Sequence, residues 1–475
     1  MPEHLDVVIV GAGLSGIGAA WHLQQRCPGK TYAILEMRDR SGGTWDLFRY
    51  PGVRSDSDMQ TLGYRFRPWT GEKAIADGPS ILRYVRDTAA EAGIDAHIRY
   101  GHKVVRAEWS TPDSRWTVHV EGREPLTCRF LLMCSGYYRY DEGYTPHFEG
   151  QFDGPVVHPQ FWPDELDYAG KRVVVIGSGA TAVTLVPALA QTGAGHVTMV
   201  QRSPSYVLAL PDEDAIATAL RRRLGDRAAY AIVRWKNVAL ATLLYQASQR
   251  LPGPMRRLFR AGALRRLPAG YAVDTHFNPR YDPWDQRLCL VPNGDLFEAV
   301  ADGSADIVTA EIERFTPRGI RLRSGEEIET DIVVTATGLN LLAFGGVRFA
   351  VDGEQVELPR TMAYKAMMLS GLPNFVYTLG YTNISWTLKA DLVSEYVCRL
   401  ISHMDEHGYT RAVPVRDPSV GERPFLDFEP GYVLRSLHEL PKQGTEAPWR
   451  LSMTYAVDAV RLRLGRVDDG VLKFA

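Results

Sequence analysis

Cysteine is scarce in this chain, and the few present stand far apart. Five occur in 475 residues, at Cys27, Cys128, Cys134, Cys289 and Cys398. An odd, scattered set without a CxxC pair points away from a disulfide framework and from a cysteine zinc site, and no metal is expected. An excess of charge of one sign is also lacking. The 54 basic and 56 acidic residues leave a formal net charge of −2, so no global attraction to nucleic acid or to an anionic membrane follows. Long apolar runs are missing too. The longest, "VALATLLYQA" from Val238 to Ala247, is too short to span a bilayer. The opening "MPEHLD" has neither the basic region nor the apolar core of a secretory signal. A reducing cytosol is the default location. No low-complexity tract interrupts the chain.

What is present is ordinary in bulk and specific in pattern. Hydrophobic residues make up 45% and charged residues 23%, as in a soluble globular protein. The length is too great for one compact core, so two domains, or one with large insertions, are expected. "DVVIV" (Asp6 to Val10) is a β-branched run that stops at glycine. "GAGLSGIGAAWHLQQ" follows with helical character, and then "TYAILE" (Thr31 to Glu36) reads as a second strand. Strand, tight turn, helix, strand is the opening of a doubly wound sheet. The same order recurs in "KRVVVIGSGATAVTLVPALAQ" and "HVTMVQR". Two such units predict two dinucleotide sites.

In the first unit Gly11, Gly13 and Gly16 form GxGxxG directly after a strand. The first glycine permits the turn, the second lets backbone approach a pyrophosphate, and the third allows close helix–strand packing. The helix N-terminus offers N–H groups and a positive dipole to the phosphates. Glu36 ends the second strand, 20 residues after Gly16. A carboxylate there accepts hydrogen bonds from a ribose and repels a 2′-phosphate, which favours FAD or NAD. In the second unit Gly177, Gly179 and Ala182 form GxGxxA, and the following strand ends in Arg202 and Ser203 without an acid. A cation and a hydroxyl suit a 2′-phosphate, hence NADPH; a merely solvated arginine is the plainer reading. "GGTW" (Gly42 to Trp45) could lay backbone and an indole against a flavin ring, or Trp45 could be plain core. Between about Pro211 and Tyr271 the sequence turns helical and arginine-rich, with 12 basic and 4 acidic residues over 211–270. This reads as a helical insertion. Strand-like sequence resumes at "DIVTAEIERF" and closes at "DIVVTATGLN" (Asp331 to Asn340).

An electron acceptor site and a donor site together raise a choice. Disulfide reductases share that layout, but "RDRSGGTWDLFRYPG" carries no redox cysteine pair. Hydride arriving from NADPH must leave the flavin another way, and molecular oxygen is the obvious acceptor.

A third motif decides the family that the chain resembles. "FDGPVVHPQFWP" (Phe152 to Pro163) lies between the two glycine motifs and fits FxGxxxHxxxW[P/D] at Phe152, Gly154, His158, Trp162 and Pro163. It resembles the fingerprint of class B flavin Baeyer–Villiger monooxygenases, and "DIVVTATG" resembles their ATG hinge strand. "LFRYPGVRSDSDMQTLGYRFRPW", "NPRYDPWDQRLCLVPNGDLF" and "MMLSGLPNFVYTLGYTNISWTLKADLVSEYVCRL" extend the resemblance, nearly end to end, to the ethionamide-activating branch of that family.

The resemblance implies an α/β fold of two Rossmann-like dinucleotide-binding domains, for FAD and NADPH, with a helical insertion. The expected partition is 1–140 and 345–475 for the FAD-binding domain with the C-terminal region, 141–207 and 284–344 for the NADPH-binding domain, and 208–283 for the insertion. It implies an NADPH- and O2-dependent enzyme acting through a flavin C4a-(hydro)peroxide. Such an enzyme inserts oxygen beside a ketone carbonyl, giving an ester or lactone, and oxygenates sulfur in thioethers or thioamides. Arg287 matches the active-site arginine and Asp56 the acid that orients it; a buried interdomain salt bridge is the alternative for the pair. Cofactor contacts are expected from Gly11, Gly13, Ser15, Gly16, Glu36, Gly43, Thr44, Trp45, Asp46, Asp56 and Val104 on the flavin side. On the NADPH side they are expected from Arg54, Gly177, Ser178, Gly179, Ala180, Thr181, Ala182, Arg202 and Ser203. Many family members have lysine just before the arginine, where this chain has Gln286; that shifts phosphate contact toward Arg202. His158 is expected on the linker, fixing domain placement by hydrogen bonding, with Phe152 and Trp162 as anchors to either side. Two alternatives stay open: a sulfur or nitrogen oxygenase without ketone insertion, and a flavoprotein whose basic insertion rests on a membrane surface. Small-molecule substrate and O2 are the expected partners, nucleic acid is not, and the oligomeric state and natural substrate are unread.

Overall fold

A computed structural model describes residues 2–286, 288–426 and 431–475. Two parallel sheets organise the chain. The first begins with β1 (His4–Val10), turns at Gly11 into α1 (Leu14–Arg26), and returns as β2 (Tyr32–Leu35). β1 lies parallel between β2 and the strand Leu126–Met133. Every residue of β2 is buried, as a strand covered on both faces requires. Beyond Leu126–Met133 the sheet continues through an antiparallel meander, Arg115–Val120 and Val104–Ser110, to Arg348–Val351.

The second sheet repeats the opening. β3 (Arg172–Ile176) leads into α2 (Ala180–Gln191) and then β4 (His196–Gln201). β3 is flanked in parallel by β4 and by β5 (Ile332–Thr335), and the short strand Val156–Val157 pairs with β5. Alternation along β3 serves two cores: Val173 and Val175 pack against α2, whereas Val174 and Ile176 face the hairpin around Phe315 and Ile320. Each such side chain contributes about 1.5–3 kcal/mol when removed from water.

Between β4 and the strand Ala305–Thr309 the chain leaves this sheet. There it forms the helices α3 (Ala215–Leu224), α4 (Asp226–Arg250) and α5 (Pro252–Leu264). α3 is started by Asp214, whose carboxylate accepts from the Ala217 N–H. α4 reaches back to the first sheet's body, where Val238 joins its core. Two further helices follow: α6 (Trp386–His407) packs on α1, and α7 (Tyr455–Leu464) packs on α6. Among the described residues, no helix is long and apolar enough to cross a membrane.

The chain crosses between the sheets twice, and the crossings pair with each other. Tyr138–Gly143 on the way out and Leu339–Leu341 on the way back form an antiparallel ribbon. Tyr144 N–H donates to the Gly338 carbonyl, and the Thr337 hydroxyl donates to the Tyr144 carbonyl at 2.6 Å. The stretch from Phe152 to Trp162 grips this ribbon. His158 Nε2 lies 3.1 Å from the Gly338 carbonyl oxygen, and its Nδ1 accepts from the Gln160 N–H. That pattern fixes the neutral ring with its proton on Nε2. A β-carbon on Gly143 would meet the His158 ring at 2.3 Å, so the ring lies directly on the outgoing strand. The Gln160 side chain donates to the carbonyls of Arg139 and Tyr140. Phe152 and Trp162 both belong to the second sheet, on its opposite faces. Neither belongs to the first sheet's cores, and the hydrogen bonds to the crossings come from His158 and Gln160. Gly154 lets the chain pass between the Phe152 ring and the Asp331 carbonyl, where a β-carbon would stand 2.6–2.8 Å from both.

Candidate active site between the two glycine turns

One cavity of about 1200 Å³ runs from the first glycine turn to the second. Both turns have the same construction. Gly11 adopts φ +104 and Gly177 φ +138, and a β-carbon on either would collide with a carbonyl of the neighbouring strand's end, Cys134 or Ala336. Glycine is required there for conformation and for packing alike. The middle glycines differ in kind. Gly13 and Gly179 have ordinary φ values of −83 and −80. Nothing lies within 4 Å of a β-carbon on Gly179, and on Gly13 the nearest atom is 3.5 Å away. Neither backbone strain nor the protein's own packing calls for glycine at these two cavity-lining positions. A group approaching from the cavity would, and α1 and α2 both start without a side-chain cap. Open N–H groups, a positive helix end and a bare backbone fit the pyrophosphate of a dinucleotide.

Two charged residues distinguish the ends. Glu36 is buried in the wall; one carboxylate oxygen accepts from the Ala12 N–H at 2.8 Å and the other from the Arg38 N–H at 3.0 Å. Burial raises its pKa, against those two hydrogen bonds. Arg202 lines the opposite end, exposed and without an ion pair among the described residues, beside Ser203.

Ser15, Gly43, Thr44, Trp45, Arg54, Asp56 and Val104 also line the cavity, as do Ser178, Ala180 and Thr181. Ser15 accepts from the Trp386 indole N–H at 2.7 Å, and Thr44 shares a hydrogen bond with Tyr140. Gly16, Asp46 and Ala182 do not reach the cavity. Gly16 packs against the Gly11 carbonyl, where a β-carbon would sit at 1.9 Å, and Ala182 is fully buried in the second core. Asp46 lies behind the wall, buried and held by Arg38 and Arg86 at 2.7 Å each. These ion pairs brace the loop that carries Thr44 and Trp45.

The loop of residues 50–56 spans the two halves. Arg54 forms an ion pair with Asp295, which opens a helix on the second half. Gly52 packs on α2, where a β-carbon would meet the Ala188 methyl at 2.5 Å. Tyr50 lines the cavity, and burial pushes its hydroxyl up to about 12. Arg287 lies outside the described residues; its neighbour Gln286 lines the cavity.

Several lining residues escape a reading by motif. Tyr137, Tyr138, Tyr140 and Tyr144 come from the outgoing crossing, and "YYRYDEGY" is a visible aromatic cluster that could have drawn attention. Trp386 stacks on Tyr137 at 5.3 Å between ring centres. Arg435 lies 3.4 Å over the Tyr144 ring, from a segment with no motif at all.

Comparison with known proteins assigns the family. A pyridine nucleotide-disulphide oxidoreductase family model matches residues 8–218. FAD-containing monooxygenase EthA of Mycobacterium tuberculosis is 62% identical over 481 residues, covering 100% of this chain and 98% of that protein. The chain belongs to the FAD-containing monooxygenases. The EthA monooxygenase of Mycolicibacterium smegmatis is 54% identical over 480 residues, again with 100% and 98% coverage. Among solved structures, OTEMO in complex with FAD and NADP matches with a TM-score of 0.76 at 21% identity, covering 99% of both chains. Oxidized steroid monooxygenase bound to NADP matches with the same score, identity and coverage. The fold of this monooxygenase is theirs: a mixed α/β architecture with two dinucleotide-type units. Its five cysteines are all buried and free.

Proposed function

We propose that this monooxygenase uses NADPH and O2 to insert oxygen beside ketone carbonyls, giving esters or lactones, and to oxygenate sulfur in thioethers and thioamides. The observation that carries this reading is the single cavity onto which both glycine turns open. Bound flavin supplies the redox centre that accepts hydride from NADPH and activates O2. The chain's own residues bind, orient and exclude water. Gly11, Gly13 and the start of α1 hold the flavin's pyrophosphate, with Glu36 on the ribose hydroxyls. Thr44 and Trp45 would flank the ring system, Val104 would lie toward the ribose end near Glu36, and Ser15, which accepts from the Trp386 indole N–H, would add a hydroxyl at the pyrophosphate. Gly177 to Thr181 hold the pyrophosphate of NADPH, and Arg202 with Ser203 meets its 2′-phosphate. Arg54, held by Asp295 on the cavity wall, would add a guanidinium for NADPH. By its place in the motif, Arg287 supplies the cation for negative charge that develops in the reaction, oriented by Asp56; a fixed guanidinium in a water-poor site acts far more strongly than one in bulk water. The partition into a flavin half (1–140, 345–475), an NADPH half (141–207, 284–344) and an insertion (208–283) is part of the same reading, supported by which strands share a sheet.

Product analysis separates the outcomes. A cyclic ketone and an aryl thioether are incubated with enzyme, NADPH and O2. Lactone and sulfoxide are both expected, each matching the NADPH consumed. Sulfoxide without lactone would reduce the enzyme to a heteroatom oxygenase, and NADPH consumption yielding only hydrogen peroxide would overturn the proposal. Arg287→Ala should keep NADPH-driven flavin bleaching while losing both products.

A further inference from the structure

Far from the glycine turns, the helical insertion carries an outer face that no described part of the chain covers. Of the nineteen large apolar side chains exposed among the described residues, nine lie between Ile216 and Leu264, a small fraction of the chain. α4 is the extreme case. Every exposed residue of that helix from Ala228 to Gln249 is uncharged. Ile232, Trp235, Ala239 and Leu243 follow one another at three- and four-residue spacing and so share a face. Trp235, Leu240 and Leu243 are 50%, 57% and 65% exposed. The opposite side of the helix, with Val233 and Val238, is buried against the body. An ordinary surface helix would place charges on the outer side.

Charges flank this face and are mostly basic; the exceptions are exposed Asp226 at the start of the helix and Lys236, which lies within the stripe and is held by Asp214. Arg222, Arg223, Arg227, Arg250, Arg257 and Arg265 are exposed and form no ion pair among the described residues. The insertion's Asp214 is already paired with Lys236. At one end Trp235 contacts Tyr455 of α7 and leads into a cleft of about 440 Å³. Trp21, stacked on Phe66, lines that cleft together with Arg65 and Arg227. Aromatic walls with guanidinium groups at the edge suit a phosphate headgroup and the glycerol below it.

We propose that this face docks the enzyme on an anionic phospholipid surface. Trp235, Leu240 and Leu243 enter the acyl boundary, and the surrounding arginines meet headgroup phosphates. Charge complementarity selects this occupant. A second copy of the chain in a symmetric contact would set the same unpaired arginines against each other. Docking would place the enzyme where apolar ketones and thioethers concentrate.

Flotation of the full-length, FAD-loaded enzyme tests the proposal, using vesicles of phosphatidylglycerol with phosphatidylcholine against vesicles of phosphatidylcholine alone. Recovery is expected with the anionic vesicles and is expected to fall with added salt. Leu240→Ser combined with Leu243→Ser should lower the partition at least about tenfold. Arg222→Gln, Arg223→Gln and Arg227→Gln together should abolish the preference for phosphatidylglycerol. Flavin content reports that each variant is folded. The proposal fails if anionic vesicles recover no enzyme, if both vesicle types recover it equally, or if the double leucine variant floats like the parent. It also fails if sedimentation velocity reveals a dimer that the leucine substitutions dissolve, because the face would then belong to a second copy.

Discussion

The two glycine turns are near copies in backbone and opposites at the ends of their second strands. Each spends its first glycine on a positive φ and on a neighbouring carbonyl, and each leaves its middle glycine bare toward the cavity. They diverge at the third position, where the second turn has room for the Ala182 methyl and the first has none at Gly16. They diverge more at the charge. Glu36 is buried, with both oxygens engaged by backbone N–H groups, whereas Arg202 stands exposed and without an ion pair among the described residues. A preorganised, sealed carboxylate suits a ligand that stays. An exposed cation suits one that arrives and leaves charged. On the proposed reading, one backbone device serves a resident and a visiting nucleotide, and side-chain burial sets the difference.

The sharpest way to break this comparison is to add one methyl group at different glycines. Gly11→Ala forces a β-carbon into the Cys134 carbonyl at a φ that L-residues rarely adopt. It should cost about 3 kcal/mol or more of stability, with loss of bound flavin. Gly179→Ala has open space and an ordinary φ. It should melt within about 0.5 kcal/mol of the parent and yet bind NADPH more weakly. Thermal melting and NADPH titration together read both effects. Equal destabilisation by the two substitutions would show that Gly179 serves the fold and not a ligand.

Next in size are the charged ends. Arg202→Ala removes a charge-assisted contact of about 1.5–3 kcal/mol, so the KM for NADPH should rise about tenfold to a hundredfold. Flavin content and the KM for NADH should stay as they were. Glu36→Ala should do the reverse, lowering flavin occupancy while leaving the NADPH dependence of the remaining holoenzyme intact. A crossed result, with Arg202→Ala shedding flavin or Glu36→Ala raising the KM for NADPH, would dissolve the distinction between resident and visitor.

Much of this was legible because it depends on local chemistry. A β-branched run that stops at glycine, a helix without a capping side chain and an acid 20 residues on are read along the chain, and the doubly wound sheets follow. The helical insertion was legible in the same way, from composition. Tertiary placement was not. Nothing local to Asp46 says that Arg38 and Arg86 turn it away from the cavity. Nothing near Arg54 announces Asp295, 241 residues later. Trp386 and Arg435 reach the cavity from distant segments through packing that no spacing encodes. Phe152 and Trp162 read as anchors, but whether they grip two domains or two faces of one sheet depends on how β3 alternates. Arg287 rests on its motif alone.

The smallest expected effect concerns the grip of His158 on the paired crossings. Its Nδ1 accepts from the Gln160 N–H, so protonating the ring would break that bond. Burial also disfavours the cation and lowers its pKa below the usual histidine value near 6.5. In the window between the lowered value and 6.5 the unfolded chain holds a proton that the folded chain does not. Stability contributed by the neutral ring is therefore full above pH 6.5 and declines as pH falls through that window. At pH 7.5, His158→Ala should cost about 1 kcal/mol for the lost bond to the Gly338 carbonyl and loosen the coupling of NADPH use to product. Melting temperatures of the parent and of His158→Gln, compared between pH 7.5 and 5.5, isolate the ring's share. The parent should lose more of its melting temperature than the glutamine variant over that range. Equal slopes would leave His158 as a filler against Gly143 and place the acid sensitivity elsewhere.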